Sequence, residues 1–157
     1  MPEEDLWPTD FETAPAVNEP LAVLEQQASL LGKKTRNIVT AEVNVFADMP
    51  SQDHTAHGTN IAPSIRAVFT IEGPVLGYAY NLFTVVYRTT FSPETNFYPI
   101  WFNYTQDNGE SIDEEVTDEI EFKELIAKIL GSHRARNVIR SITFASSSVQ
   151  GLPADFR

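Results

Sequence analysis

Two histidines and a carboxylate form a possible metal-binding group. Asp53, His54 and His57 stand in the pattern D-H-x-x-H within a long polar stretch. Imidazole nitrogens and carboxylate oxygens are common ligands of zinc and other divalent metals. This spacing lies in a loop and no second ligand cluster accompanies it, so two solvated histidines are the favoured interpretation. The sequence predicts no metal and no cofactor.

An acidic stretch has the side chains that calcium prefers, but not their usual spacing. It lacks the alternation of ligands and the glycine placement of a calcium loop. A solvated acidic loop that leads into a helix is therefore the favoured interpretation. Its carboxylates belong to Glu110, Asp113, Glu114, Glu115, Asp118 and Glu119.

Two carboxylates and two guanidinium groups fall on predicted strands. They are Glu42, Arg66, Glu72 and Arg88. Cross-strand ion pairs on an exposed face are the favoured interpretation. The alternative is a polar pocket in a small enzyme or ligand-binding domain. The chain has neither glycine-rich phosphate-loop motif and no nucleophile elbow, so no catalytic residue is predicted.

The composition is that of one globular domain with an acidic surface. The 157 residues are 42% hydrophobic, carry a net charge of −11 and include no cysteine. Direct binding of nucleic acid is disfavoured because it requires a basic face. No apolar run has the length of a membrane span, and the N-terminus lacks the pattern of a signal peptide. A cytoplasmic protein without membrane association is expected.

Helical periodicity occurs near both ends of the chain. Apolar spacings of three and four residues predict helices over 20–32 and 118–130, with Gly32 and Thr117 as expected caps. A third helix is predicted over 133–146, although its β-branched residues leave a strand open as the alternative. The predicted organisation is an acidic leader over 1–19, one domain over 20–146 and a tail over 147–157.

Alternating and aromatic runs predict four strands between the first two helices, over 37–47, 64–72, 79–90 and 97–105. Because the strands are consecutive, we expect an α+β fold. It has an N-terminal helix, a four-stranded antiparallel meander sheet and two C-terminal helices packed on one face. Pro99 would remove a ladder donor, which predicts an edge or a bulge in the fourth strand.

Most of the aromatic residues lie between Phe69 and Tyr104, on both predicted faces of the sheet. Strict alternation places Tyr80 on one face of its strand and Phe83 on the other. Tyrosine and tryptophan are enriched where two proteins meet. The candidate partner-binding residues are Tyr78, Tyr80, Tyr87, Tyr98 and Trp101. The favoured alternative is that the helices bury both faces.

Four segments of the chain carry a resemblance to other proteins. They are LEQQASLLGKKTRNIVTAEV, residues 24–43, and, further along the chain, GPVLGYAYNLFTVVY, YPIWF and DEIEFKELIAKIL. In these pieces the chain resembles a family of small bacterial proteins of unassigned function. The resemblance covers about residues 20–146 and implies one compact bacterial domain. The matching residues form helices, strands and turns, so it transfers no catalytic residue and no ligand.

Three classes of function remain open from the sequence. The first is a non-enzymatic interaction module, of the adaptor or immunity type, that binds another protein or a second copy of itself. The second is an acidic decoy that occupies a nucleic-acid-binding partner, which requires a continuous acidic stripe. The third is the small enzyme or ligand-binding domain, which requires a polar cavity between the sheet and the helices.

Overall fold

The computed structural model describes residues 19–48, 64–88 and 97–150. These residues form three helices and one five-stranded antiparallel sheet, which confirms the α+β class and the helix–sheet–helix–helix order. The elements are α1 (Pro20–Lys34), β1 (Thr40–Asp48), β2 (Ser64–Gly73), β3 (Tyr78–Arg88), β4 (Ile100–Thr105), β5 (Ser111–Val116), α2 (Glu119–Leu130) and α3 (His133–Gln150). Residues 1–18 of the predicted leader, the Asp53, His54 and His57 group and the last seven residues lie outside the described residues.

The fifth strand corrects the predicted four-stranded sheet. β5 occupies part of the stretch interpreted as an acidic loop and pairs with β4 from Thr105 opposite Ser111 to Ile100 opposite Val116. Ile112, Glu114 and Val116 lie opposite three buried residues of β4. Three consecutive acidic residues, 113–115, obscure this pattern in the sequence. Charged residues are nevertheless common on edge strands, because they discourage pairing with other chains.

The strands follow one another across the sheet in the order β1-β2-β3-β4-β5. β4 is therefore an interior strand, and the predicted edge or bulge at Pro99 is wrong. The strand begins at Ile100, immediately after the proline, so the missing N–H is not required by the ladder. β1 and β5 are the edges of the described sheet.

α1 packs on β1 and β2 through a stripe that includes Leu24, Ala28 and Gly32. The predicted cap at Gly32 is wrong, because the helix continues to Lys34 and Thr35 follows as its C-cap. A Cβ at Gly32 would lie 2.9 Å from the Asn37 side-chain oxygen, so the glycine leaves room for the Asn37 amide against the helix. Its role is close packing and not helix termination.

The two C-terminal helices have well-defined starts. The N-cap of α2 is Asp118, one residue after the predicted Thr117, and its carboxylate accepts a hydrogen bond from the Glu121 N–H at 2.8 Å. The Glu121 carboxylate accepts in turn from the Thr117 N–H at 2.8 Å. Before α3, the Ser132 hydroxyl accepts a hydrogen bond from the Ala135 N–H at 3.2 Å. α3 extends to Gln150, so residues 133–146 are helix and not strand.

The helices pack against one face of the sheet, which we call the covered face. α3 contacts β2 and β3, and the Phe122 ring of α2 lies 5.5 Å from the Phe102 ring of β4. Buried aromatic rings continue along this face, where Phe83 lies 5.0 Å from Phe69 and 5.7 Å from Phe102. The helix contacts of the described residues leave the opposite face, which we call the open face, without a helix on it.

Candidate interaction surface on the open face of the sheet

A β-bulge in β3 decides which aromatic residues reach the open face. Phe69 pairs with Phe83, whereas the next residue, Thr70, pairs with Asn81, so Leu82 is an extra residue in β3. An extra residue reverses the alternation on one side of it. Tyr80 consequently shares the covered face with Phe83, instead of opposing it as strict alternation predicts.

Four of the five predicted partner-binding residues therefore lie on the side of the helices. The Tyr80 hydroxyl accepts a hydrogen bond from the Arg134 guanidinium at 3.2 Å. Tyr87 is 1% exposed, and the Tyr98 ring contacts the Phe122 ring edge-on at 6.3 Å. Tyr78 is more accessible, at 45% exposed, in a groove between β3 and α3. Trp101 is the one of the five that lies on the open face.

Burial also changes the acidity of the core tyrosines. Burial raises the pKa of Tyr87 to about 12, with smaller contributions from the negative charges of Glu19 and Glu25. Tyr98 and Tyr104 also have pKa values raised to about 12, primarily by burial. The Tyr104 hydroxyl donates to the Glu114 carboxylate at 2.8 Å, which further disfavours its ionisation. These phenols are structural groups that stay neutral.

Alkaline pH is expected to destabilise the protein through these tyrosines. The folded Tyr87 ionises near pH 12, whereas an unfolded tyrosine ionises near its ordinary value of 10.0. The stabilising contribution of the neutral Tyr87 is therefore fully present below pH 10 and is lost as the pH rises through 12. The reason is that the unfolded state releases the tyrosine proton at a lower pH than the folded state does. Tyr87→Phe should make this decline shallower in urea unfolding measured at pH 8 and pH 11. Equal declines for the two proteins would contradict the assignment.

The open face presents a cross-strand set that we call the aromatic row. The sheet register places Phe46 opposite Arg66, Arg66 opposite Val86, Val86 opposite Trp101, and Trp101 opposite Glu115. Phe46 is 46% exposed and Trp101 is 37% exposed. The Arg66 guanidinium lies 4.9 Å from the centre of the Phe46 ring. One side of the sheet thus exposes two aromatic rings, a cation, an aliphatic side chain and a carboxylate across five strands.

A second, mainly polar row runs beside the aromatic row. Asn44, Val68, Thr84, Asn103 and Asp113 lie opposite one another in turn. The Asn103 amide donates to the Asp113 carboxylate at 2.8 Å. Together the two rows combine accessible aromatic and arginine side chains with a polar surround, which is the composition typical of protein interfaces.

The polar strand residues do not line a cavity between the sheet and the helices. Glu42, Glu72, Arg66 and Arg88 belong to strands whose register places them on the open face. A hydrogen bond with the Glu42 carboxyl raises the pKa of Glu72, and burial and the charge of Glu42 act in the same direction. This pair lies on an accessible surface, which does not provide the enclosed site that the enzyme or ligand-binding interpretation requires.

A cavity of about 370 Å³ does lie beneath the end of β4, near the start of α3. Its main polar groups are already used by the fold. The Asp107 carboxylate accepts from the Arg134 N–H at 3.0 Å, and the Ser132 hydroxyl donates to the Ile129 carbonyl at 2.7 Å. These contacts hold the start of α3 and the end of α2 in place.

Two of the acidic residues predicted as a loop, Glu114 and Glu115, lie beside two acidic residues of α2 in a groove between β5 and α2. Glu114, Glu115, Glu121 and Glu124 line one groove there, with Lys128 at its side. Among the described residues, no group of three or more side chains is arranged to hold a metal ion. The helices in the described ranges also lack the combined length and apolarity of a membrane span.

Comparison of the chain with protein-family models, curated proteins and solved structures finds no match in any of the three.

Proposed function

We propose that this protein is a non-enzymatic interaction module, of the adaptor or immunity type, and that it binds its partner through the open face of the sheet. The observation that carries the proposal is the aromatic row. Trp101 is accessible on a rigid interior strand, and Arg66 stacks on the accessible ring of Phe46. Tryptophan, tyrosine and arginine are the residues that most often dominate binding energy at interfaces.

The structure revises the set of residues in this proposal. Trp101 is retained, and Phe46 and Arg66 are added from the neighbouring strands. Tyr80, Tyr87 and Tyr98 are left out because they belong to the covered face, where they pack against or bond to the helices or the core. Tyr78 lies in a separate groove beside α3 and is left out as well.

Partner capture with matched variants tests this proposal. Trp101→Ala should weaken capture of a specific partner from the native host by at least about 30-fold, the loss expected for a hot-spot tryptophan. Phe144→Ala is the control, because Phe144 is 76% exposed on α3, away from the sheet. A partner that is retained by the Trp101 variant and lost by the Phe144 variant would place the interface on the helices instead.

The acidic decoy is a second candidate function, and the groove between β5 and α2 supports it. Glu114, Glu115, Glu121 and Glu124 line this groove together, with one basic residue, Lys128, at its side. A decoy would bind a basic nucleic-acid-binding protein through this groove, with an affinity that falls steeply as salt is added. Glu121→Gln combined with Glu124→Gln should weaken such binding, whereas Trp101→Ala should leave it unchanged.

A further inference from the structure

We propose that the occupant of the open face is a second copy of this chain, placed face to face around a two-fold axis that runs along β3. This inference rests on the proposed function, because it names the partner of the same surface. Its basis is the order of side chains in the aromatic row. The row has the Arg66 cation near one end and the Glu115 carboxylate at the other. The two-fold rotation brings Arg66 of one copy near Glu115 of the second copy.

The sheet has the central strand that this arrangement requires. β3 has two strands on either side, so the rotation places β2 of one copy over β4 of the other and β1 over β5. The rotation also keeps each cross-strand row aligned with its own copy. Packed sheets lie about 10 Å apart with strands roughly aligned, so long side chains from the two faces can meet.

Complementary side chains meet near the centre of the aromatic row, and at each end Phe46 lies over Glu115 of the second copy. Arg66 lies over Trp101 of the second copy, where its guanidinium can stack on the indole ring. Glu115 of the second copy is the neighbour of that tryptophan in the register and falls within reach of the same guanidinium. Val86 meets its own equivalent on the axis. Each of these contacts except the last occurs twice, as an isologous interface requires.

The polar row is compatible with the same placement. Asp113 lies over Asn44 of the second copy, and Thr84 meets its own equivalent. The symmetry brings one like-charged pair together, Arg88 with its copy, at the end of β3 where the side chain is exposed to solvent. No carboxylate of the two rows is placed over another carboxylate.

The size of the face is adequate for a stable dimer. Five strands about 4.8 Å apart span about 24 Å, and strands of six to ten residues are about 20–33 Å long. The face therefore covers about 500–800 Å² in projection. A standard interface buries about 800 Å² on each partner, so the whole of the open face would be used.

A charge exchange measured by sedimentation equilibrium tests the arrangement. Within one chain Arg66 and Glu115 are three strands apart, about 14 Å, so they form no direct pair. Arg66→Glu and Glu115→Arg should each raise the dimer dissociation constant at least about tenfold, because like charges then face each other. The double variant carrying both substitutions should recover most of the wild-type affinity, since the pair is restored across the axis.

Control variants and folding measurements keep the outcomes separate. Arg140→Glu and Glu25→Arg reverse exposed charges on α3 and α1, outside the open face and the acidic groove, and should leave the dissociation constant unchanged. Circular dichroism checks that each variant folds. If a charge-reversal variant does not fold, the neutral variant Arg66→Gln or Glu115→Gln takes its place. With the neutral variants, each single substitution should still weaken the dimer.

A wild-type protein that remains monomeric up to about 100 μM, far above a dissociation constant useful to a specific dimer, would overturn the inference. The proposed function would survive that result, because a different protein could still require Trp101. The inference would also be overturned if neither charge reversal changes the dimer dissociation constant, or if the double variant does not recover the wild-type value. Either result would place the dimer interface on another surface. Loss of partner capture by the Trp101 variant would then still support the open face as a binding site.

Discussion

Phe102→Ala is expected to lower the free energy of unfolding by about 3–5 kcal/mol, the usual cost of removing a buried aromatic ring. Phe102 is 1% exposed and lies between the Phe83 ring of β3, at 5.7 Å, and the Phe122 ring of α2, at 5.5 Å. The substitution would leave a cavity where the sheet meets α2. Urea unfolding followed by circular dichroism measures the loss.

The neighbouring residue on the same strand is the matched control. Trp101→Ala removes a larger side chain from the open face, where 37% of the residue is accessible, and should cost about 1–3 kcal/mol, less than Phe102→Ala, because part of the ring is already in water and no enclosed cavity is left. The contrast between adjacent residues therefore reports which side of β4 is packed. If Trp101→Ala costs as much as Phe102→Ala, the open face is covered in solution within a single chain, and the proposed interaction surface is wrong.

Gly73→Ala is expected to lower the free energy of unfolding by about 1–3 kcal/mol, the range for overpacking a core. A Cβ at this position would lie 2.7 Å from Cγ2 of Ile142. That methyl group is attached directly to the branched Cβ of a helical isoleucine, which has little rotamer freedom. Relief would require α3 to move away from the end of β2.

A double-mutant cycle separates this clash from other effects of the substitution. Ile142→Ala removes the clashing methyl group and by itself should cost about 2–5 kcal/mol, because Ile142 is 2% exposed. In that background Gly73→Ala should cost little, so the double variant is more stable than the sum of the single losses predicts. Additive losses would show that Gly73 does not limit the approach of α3.

The sequence predicts the secondary structure well where one periodicity dominates. α1 starts at Pro20 as expected, and β2 is shifted by only one residue at its end. β5 was missed because only Ile112 and Val116 are apolar in six residues, and this spacing fits a strand, a helix or a loop equally. Its pairing with β4 supplies the backbone hydrogen bonds that decide the conformation.

The candidate surface was harder to predict than the strands that form it. Trp101 was included among the expected contacts, whereas Phe46 and Arg66 were not, because their proximity arises from the pairing of β1 with β2. Strict alternation along β3 predicts the faces of its tyrosines from one end of the strand. The extra residue Leu82 makes that prediction wrong, and a bulge has no sure signature in an apolar run.

The sequence by itself determined the α+β class, the helix–sheet–helix–helix order and the acidic character of this protein. These follow from local periodicity and composition, which act over a few residues at a time. Only the tertiary structure decided that the helices share one face, that Tyr80 and Tyr87 belong to that face, and that Trp101 shares a row with Arg66 and Glu115. Those results depend on strand register and on which surface the helices cover, and both are set by contacts between residues far apart in the chain.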